Sequence, residues 1–180
     1  MLGRTLETIR QSSVDRIVVV LGADAATIRK KVRFVNEKVV VNHEYRRGMS
    51  ESLKTGLAVV QDEADAVMVV LGDQPFLASE TVDRLIDAYQ ASKAPVVVPV
   101  YHGQRGNPVL FDRSLFLQVM NIQGDTGAKS VVLRNEAALR EVAVEDQGVL
   151  LDLDTPSDYA GARSRGQSKI RTRTRAKVSP

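Results

Sequence analysis

The sequence predicts an α/β fold built around a parallel sheet. Short runs of apolar, mostly β-branched residues alternate with amphipathic stretches of helical spacing, which is typical of repeated strand–helix–strand units. The strand candidates are nearly continuous in valine, isoleucine and leucine, as expected when helices cover both faces of a sheet. A chain of 180 residues, 43% apolar and 26% charged, is long enough for one domain with a hydrophobic core.

The first half of the chain contains a helix at its start and three strand candidates after it. Leu2, Leu6 and Ile9 recur at helical spacing and predict an amphipathic helix that no strand candidate precedes. Of the two helices between the strands, the first is predicted to have Asp24 as its N-cap and the second Ser50. The strands are predicted at 16–21, 38–42 and 67–71, and these two helices at about 24–32 and 50–62.

The second half continues the alternation. A helix that Ser79 caps is followed by a strand bracketed by Pro95 and Pro99, and the prolines predict that this strand lies near a sheet edge or ends early. A last short helix is predicted after Thr155. The strands are predicted at 96–100, 109–111 and 140–144, and the other helices at about 79–91, 113–120 and 125–135.

The net charge of +3 comes from the end of the chain. The segment 161–180 contains seven of the 25 basic residues and no acidic one, which leaves 18 basic against 22 acidic residues before it. Its composition is typical of a disordered basic tail, either a solubilising extension or a weak binder of polyanions. Only eight residues of the chain are aromatic and none lies in the tail, so no specific nucleic-acid partner is expected.

Composition excludes cysteine chemistry and membrane insertion. The chain has no cysteine, so it forms no disulfide, thiol nucleophile or cysteine-ligated metal site. No apolar run approaches the ~18 residues that span a bilayer. Arg4, Glu7 and Arg10 interrupt the stretch that a signal peptide would need, so we expect a cytoplasmic protein.

The strongest candidate site follows the third strand, at 71–75. A buried strand would deliver the carboxylate of Asp73 to the carboxyl edge of the sheet, where open α/β folds bind their ligands. Gly72 permits a close backbone approach there. One carboxylate in this position suits Mg²⁺, which keeps most of its water and bridges to substrate phosphates. The alternative is that Asp73 only caps the following turn.

A second acidic cluster lies at 152–158. Thr155 as N-cap, Pro156 at the first helical position and Asp158 three residues after the cap describe an ordinary helix start. Asp154 is left over by that account. It could complete a two-carboxylate metal site with Asp73, although spacing alone does not bring the two together.

Two glycine turns lead into predicted helices, at 48–53 and 124–129. Free amides and hydroxyl groups at such helix starts can hold a base, a ribose or a phosphate, and Lys129 could pair with a phosphate. Taken singly, each turn is explained as well by helix capping. His43 and His102 lie in polar segments with no partner pattern, so we expect them to be solvated.

Together and in this order, these segments resemble the MobA-like nucleotidyltransferases, with the greatest similarity to the molybdenum cofactor cytidylyltransferase branch. The resemblance implies a three-layer α/β/α, Rossmann-like sheet of the nucleotide-diphospho-sugar transferase type. It also implies transfer of CMP from CTP, or of GMP from GTP, to the phosphate of molybdopterin, with Mg²⁺ and release of pyrophosphate. The matching segments are 16–25, 48–57, 69–77, 99–116, 124–132 and 150–159.

The resemblance also implies roles for particular residues. Asp73 would be the catalytic metal ligand, with Asp154 as its second carboxylate. Ser50, Ser52 and Gly72 would bind the nucleotide. The residues implied on the molybdopterin side are Asn107, Gly124, Asp125 and Lys129.

One element of that family has no counterpart in this sequence. The family opens with a strand and a glycine-rich loop, LAAGxSxRMGxxK, that holds the triphosphate. We therefore expect a transferase domain at 1–160 whose first strand is missing, an impaired activity, and the tail at 161–180. The alternative is a non-catalytic accessory protein that binds molybdopterin, a xanthine-dehydrogenase-type molybdoenzyme or a maturation chaperone of such an enzyme.

Overall fold

The computed structural model describes residues 1–124 and 127–151, and in this part of the chain all six predicted helices and all six predicted strands are confirmed. Asp125, Asp154, the predicted helix after Thr155 and the segment 161–180 lie outside the described residues. The helices are α1 (Leu2–Arg10), α2 (Ala25–Lys31), α3 (Met49–Leu57), α4 (Ser79–Ser92), α5 (Phe116–Met120) and α6 (Lys129–Arg134). The strands are β1 (Val18–Leu21), β2 (Lys38–Val41), β3 (Ala66–Val69), β4 (Val96–Tyr101), β5 (Gln104–Arg105), β6 (Val109–Asp112) and β7 (Leu139–Ala143).

The described strands form two sheets. Strands β1 and β2 pair in parallel, with Val18 opposite Lys38 and Leu21 opposite Val41. The second sheet has the order β3-β6-β4-β5, and β7 also pairs with β4. Strand β6 runs antiparallel to both of its neighbours, whereas β7 is parallel to β4. The sheet is therefore mixed, where the apolar runs alone predicted a parallel one, because such runs show burial on both faces and not strand direction.

Strand β4 is central, so its predicted position near an edge is wrong. It pairs with β7 on one side and with β6 and then β5 on the other. Proline is tolerated there because β6 pairs only with Val96 and Val97, and β5 begins pairing at Val100. Pro99 thus falls where β4 changes partner, and its carbonyl accepts a hydrogen bond of 3.0 Å from the Gly106 N–H.

Helices cover both faces of the sheets, which gives three layers. Val96, Val98 and Phe111 pack with residues of α3, α5 and α6 on one face. Val97 and Leu110, which alternate with them along the strands, pack against α4 on the other. On that second face Leu6 of α1 packs on β1, while Ile9 packs in a cluster with α4. No helix in the described part of the chain is long and apolar enough to cross a membrane.

The three predicted N-cap residues do not cap their helices through side-chain hydrogen bonds. Ser50 lies inside the first turn of α3, whose N-cap is Gly48. Asp24 is at the N-cap of α2 but takes a left-handed conformation with φ 55°, and Ala78 precedes α4 in place of Ser79. A serine or aspartate in the sequence therefore indicates roughly where a helix begins, but it does not determine which residue caps that helix.

Residues 146–149 pack against the turn after β3. Within this segment, Asp146 provides the side-chain hydrogen bonds at the start of α4 that the N-cap residue Ala78 cannot make. The Asp146 carboxylate accepts hydrogen bonds from the Ala78 N–H at 2.8 Å and from the Thr81 hydroxyl at 2.9 Å. The backbone of Gly148 lies against Phe76 so closely that a Cβ atom there would be 2.3 Å from the Phe76 carbonyl oxygen. Only glycine permits this contact, so Gly148 fixes the distance between the two segments.

A buried ion pair joins α1 to the chain before β2. The Arg10 Nε donates to the Glu37 carboxylate, whose side chain is 2% exposed. This hydrogen bond, together with one from the Val35 N–H, lowers the pKa of Glu37 to about 2 although burial opposes the shift. The ionised form of Glu37 therefore stabilises the fold.

We expect Glu37→Gln to reduce the free energy of unfolding at pH 7 by about 2 kcal/mol, because a charge-assisted hydrogen bond is lost. Since the pKa is lower in the folded state, the contribution of Glu37 is complete above about pH 4.5 and is lost as the pH falls toward 2. Urea unfolding of both proteins between pH 7 and pH 3 should show their stabilities converging. Glu44→Gln, at an exposed ion pair, is the control and should match the parent.

We expect Gly148→Ala to lower the melting temperature, because the new methyl group would collide with the Phe76 carbonyl. Gly3→Ala is the matched control, since nothing lies within 4 Å of the added carbon and alanine is the better helix former in α1. It should leave the melting temperature unchanged or raise it slightly. Equal effects of the two substitutions would contradict the close contact.

Candidate functional site

The turn at 72–76 projects from the carboxyl end of β3. Gly72 is exposed there, and its carbonyl accepts a hydrogen bond of 3.3 Å from the Thr5 hydroxyl of α1. Asp73 is half-buried, and its Oδ1 atom is inaccessible to solvent. The neighbouring Gln74 is fully buried and donates from Nε2 to the Val149 carbonyl at 3.4 Å. The turn therefore holds one carboxylate at the sheet edge on a buried support.

The loop that carries Asn107 shares this support. The Asn107 N–H donates to the same Val149 carbonyl at 2.9 Å, and a Cβ atom at Gly106 would lie 2.3 Å from that oxygen. One carbonyl thus binds both the Asn107 backbone and the Gln74 side chain. The structure brings Asn107 next to the residue that follows Asp73.

The start of α3 lies at the carboxyl ends of β1 and β2. The Asn42 N–H donates to the Leu21 carbonyl at 2.8 Å, and its side-chain amide donates to the Ser52 hydroxyl at 3.0 Å. Asn42 is 4% exposed and its Oδ1 accepts from the Glu44 N–H, so the amide is fixed from both ends. Ser50 is fully buried, and its hydroxyl has no hydrogen-bond partner among the described residues.

The second glycine turn packs against this helix start. Gly127 has φ +51°, a conformation that favours glycine, and a Cβ atom there would be 2.9 Å from the Met49 sulfur. Gly124 also has a positive φ, of +71°. Lys129 is exposed at the first residue of α6, with no ion-pair partner in the described part of the chain.

Members of both groups line one cleft of about 970 Å³, whereas Asp73, Asn107, Ser50 and Lys129 do not line it. Ser52 and Gly127 line it on the side of α3, and Gly72 lines it at the end of β3. The structure thus gathers both glycine turns and the Asp73 turn at one edge. Among residues 1–124 and 127–151 no three acidic or histidine side chains form a metal-binding group, and the pairing of Asp73 with Asp154 falls outside that part.

Three residues that build this site were missed by sequence reasoning. Gln74 lies inside the candidate site predicted at 71–75, but only the fold shows that its amide reaches Val149, 75 residues away. Asn42 follows a strand and resembles an ordinary turn residue. Asp146, two residues before a glycine, has the local pattern of an Asx turn, which it does form with Gly148, but nothing local indicates its second role at α4.

His43 and His102 are exposed, as expected from the sequence. His102 contacts the Tyr101 ring edge-on, with the ring centroids 4.3 Å apart. Neither histidine lines the cleft described above.

Two curated proteins are similar to this chain over most of its length. The nicotine blue oxidoreductase of Paenarthrobacter nicotinovorans is 31% identical over 170 residues, covering 85% of this chain and 80% of the relative. The molybdenum cofactor cytidylyltransferase of Escherichia coli K12 is 25% identical over 153 residues, covering 83% of this chain and 75% of the relative.

A solved structure agrees with the fold. Rv0371c from Mycobacterium tuberculosis H37Rv, in complex with manganese, superimposes with a TM-score of 0.78 and 34% identity over 89% of this chain and 84% of the other. The fold is therefore shared with this structure over most of both chains. The family model of the MobA-like NTP transferase domain matches residues 1–142, and the chain belongs to that family.

Proposed function

We propose that the chain is a nucleotidyltransferase that transfers CMP from CTP to a phosphate of molybdopterin. The observation that carries the proposal is that one carbonyl oxygen, that of Val149, accepts hydrogen bonds from both the Gln74 side chain and the Asn107 N–H. It therefore holds the Asp73 turn and the Asn107 loop together at the carboxyl edge of the sheet. Ser52 and Gly127 face the same cleft from α3 and the second glycine turn. In this proposal the nucleotide binds beside α3, and the phosphate that accepts the nucleotidyl group binds beside the Asn107 loop. Group transfer between phosphates requires both to be held close together.

A divalent metal ion fits the residues present at this edge. Asp73 supplies a half-buried carboxylate just after β3, and Mg²⁺ needs only one or two protein carboxylates when substrate phosphates complete its shell. A manganese complex of a relative supports a divalent ion in this family. We propose Asp73 as a ligand and Asp154 as the second one. When bound, the ion would neutralise the charge that develops on the phosphates.

In the proposed reaction a phosphate oxygen of the acceptor attacks the α-phosphorus of CTP in line. A new P–O bond forms, the bond to the β-phosphate oxygen breaks, and pyrophosphate leaves with the electron pair. Ser52 and Gly72 would hold the nucleotide, with Ser52 positioned by Asn42 and Gly72 by Thr5. Ser50 is fully buried, so its predicted contact with the nucleotide would require the start of α3 to move. The residues proposed on the acceptor side are Asn107, Gly124, Asp125 and Lys129.

The choice of substrates rests on one relative. The Escherichia coli protein is a molybdenum cofactor cytidylyltransferase, which supports CTP and molybdopterin, whereas the more identical Paenarthrobacter relative is an oxidoreductase. GTP is the alternative nucleotide, and a molybdoenzyme of the xanthine-dehydrogenase type, or its maturation chaperone, is the proposed recipient of the product. The family and the arrangement of the site support nucleotidyl transfer, whereas CTP and molybdopterin are supported by a single relative.

A second candidate is a non-catalytic protein that binds molybdopterin or a molybdoenzyme partner. The observation in its favour is that the cleft runs between two strands, β1 and β3, that do not pair. A site divided in this way can keep its binding residues and yet position the triphosphate poorly. Under this candidate, molybdopterin binds but turnover is absent.

We expect the chain to bind Mn²⁺ in the presence of CTP and Asp73→Asn to weaken that binding at least tenfold, because the amide replaces the anionic ligand. Asp62→Asn, at an exposed carboxylate eleven residues before Asp73, is the matched control and should bind as the parent does. Electron paramagnetic resonance of free Mn²⁺ measures the affinity. Unchanged binding by Asp73→Asn would remove this residue from the metal site.

Pyrophosphate release separates the two candidate functions. With molybdopterin and Mg²⁺ present, we expect release to be greater with CTP than with GTP, and Asp73→Asn to reduce the rate at least a hundredfold. Molybdopterin binding with no pyrophosphate release from either nucleotide would contradict the transferase and favour the accessory protein.

A further inference from the structure

The outer edge of β2 is unpaired in the described part of the chain. Strand β2 pairs with β1, and no described strand pairs with its other edge. Across the pair, the Asn42 N–H donates to the Leu21 carbonyl at 2.8 Å. Backbone groups alternate between the two edges along a strand, so those of Val39 and Val41 point away from β1. These two residues therefore present donors and acceptors that a further strand can use.

A side chain of the neighbouring helix occupies one acceptor on this edge. The Arg29 guanidinium, in the last turn of α2, donates to the Val39 carbonyl at 3.3 Å. Ile28, the residue before Arg29, packs in the same apolar cluster as Val39, which holds α2 beside the strand. Because arginine can only donate hydrogen bonds, Arg29 leaves the outward N–H groups of β2 to other acceptors.

The surface around this edge is strongly basic. The segment 29–38 contains five basic residues and one acidic residue. The acidic residue, Glu37, has a buried side chain that pairs with Arg10, so its charge is already compensated. All five basic residues are exposed, and none forms an ion pair among residues 1–124 and 127–151. They are Arg29, Lys30, Lys31, Arg33 and Lys38.

This charge determines which kind of strand the edge accepts. Pairing β2 with the β2 of a second copy would place two such basic surfaces together, and like charges repel. The segment 161–180 of the same chain has seven basic residues and no acidic one, so it is repelled as well. An extended segment with carboxylates is attracted instead. A carboxylate also binds a guanidinium more strongly than a carbonyl does, so it would draw Arg29 away from Val39.

We propose that the outer edge of β2 binds an extended acidic segment of a partner protein, which pairs with β2 as an added strand. A partner N–H replaces Arg29 at the Val39 carbonyl, and partner carbonyls accept from the N–H groups of Val39 and Val41. The partner's carboxylates pair with the basic side chains of 29–38. No residue of α2 or β2 lines the cleft, so this binding leaves the cleft open. The proposal does not depend on the proposed nucleotide chemistry.

The first test uses the full chain and three capped peptides of equal length. One alternates glutamate and valine over six residues, and the second has lysine in place of each glutamate. The third keeps the glutamates but has proline in place of each valine, and proline cannot donate to a neighbouring strand. We expect fluorescence anisotropy to show the glutamate–valine peptide binding at least tenfold more tightly than either of the others. Equal affinity of the two glutamate peptides would show attraction of charge without strand pairing and would overturn the proposal.

The second test changes the edge itself. Val41→Pro removes an outward donor and leaves the ladder to β1 intact, so we expect it to weaken binding of the glutamate–valine peptide about tenfold. Val41→Thr keeps the N–H group and the branched shape, and this matched control should bind as the parent does. The double variant Lys30→Glu, Lys31→Glu alters no backbone group of β2 and should also weaken binding about tenfold. Melting temperatures check that the variants fold, and parental affinity of either Val41→Pro or the double variant would contradict the proposal.

Amide hydrogen exchange locates the bound peptide, which is necessary because the segment 161–180 is also basic. The glutamate–valine peptide should slow exchange at Val39 and Val41 at least tenfold. It should leave Lys38 and Val40 unchanged, because their N–H groups point toward β1. Binding without protection of Val39 and Val41 would place the peptide elsewhere and overturn the proposal. Slower exchange there on raising the concentration of the chain alone would assign the edge to a second copy and would also overturn it.

Discussion

Among residues 1–124 and 127–151, the edges of β1 and β3 that border the cleft are not paired, and the relative position of the two sheets depends on what bridges this gap. The two sheets are connected by side-chain packing of α1 and α3 and by a few polar contacts, not by a backbone ladder. Backbone ladders fix register within each sheet, whereas helix packing fixes the distance between the sheets less strictly. The relative position of the two sheets therefore rests on contacts such as Thr5 with Gly72.

This division passes through the candidate site. Ser52 is attached to the β1–β2 sheet through Asn42, whereas Asp73 and Asn107 belong to the larger sheet and are joined through Val149. A nucleotide that contacts both groups has to span the gap. Precise positioning of the reacting phosphates accounts for most of the catalysis in such group transfer, so under the proposed function the distance between the two sheets would affect turnover.

Much of the fold could be predicted from the sequence because apolar periodicity reports burial, and burial decides where helices and strands lie. The same pattern does not report strand direction or order, so the antiparallel β6 and the central position of β4 could not be predicted. The glycine turns and the lone aspartate could be located from the sequence because they follow apolar strands, and their roles in binding stay predictions. Its supports were not, because Gln74, Asn42 and Asp146 act on partners brought near only by folding.

Amide hydrogen exchange of the chain, measured residue by residue, tests the divided sheet most directly. In an antiparallel pair only alternate residues donate to the partner strand, so neighbouring amides of 66–69 should differ in exchange rate by orders of magnitude. The amides of Val96 and Val97, which pair on both sides, should all be slow. Uniformly slow exchange along β3 would mean that both of its edges are paired and would contradict the account.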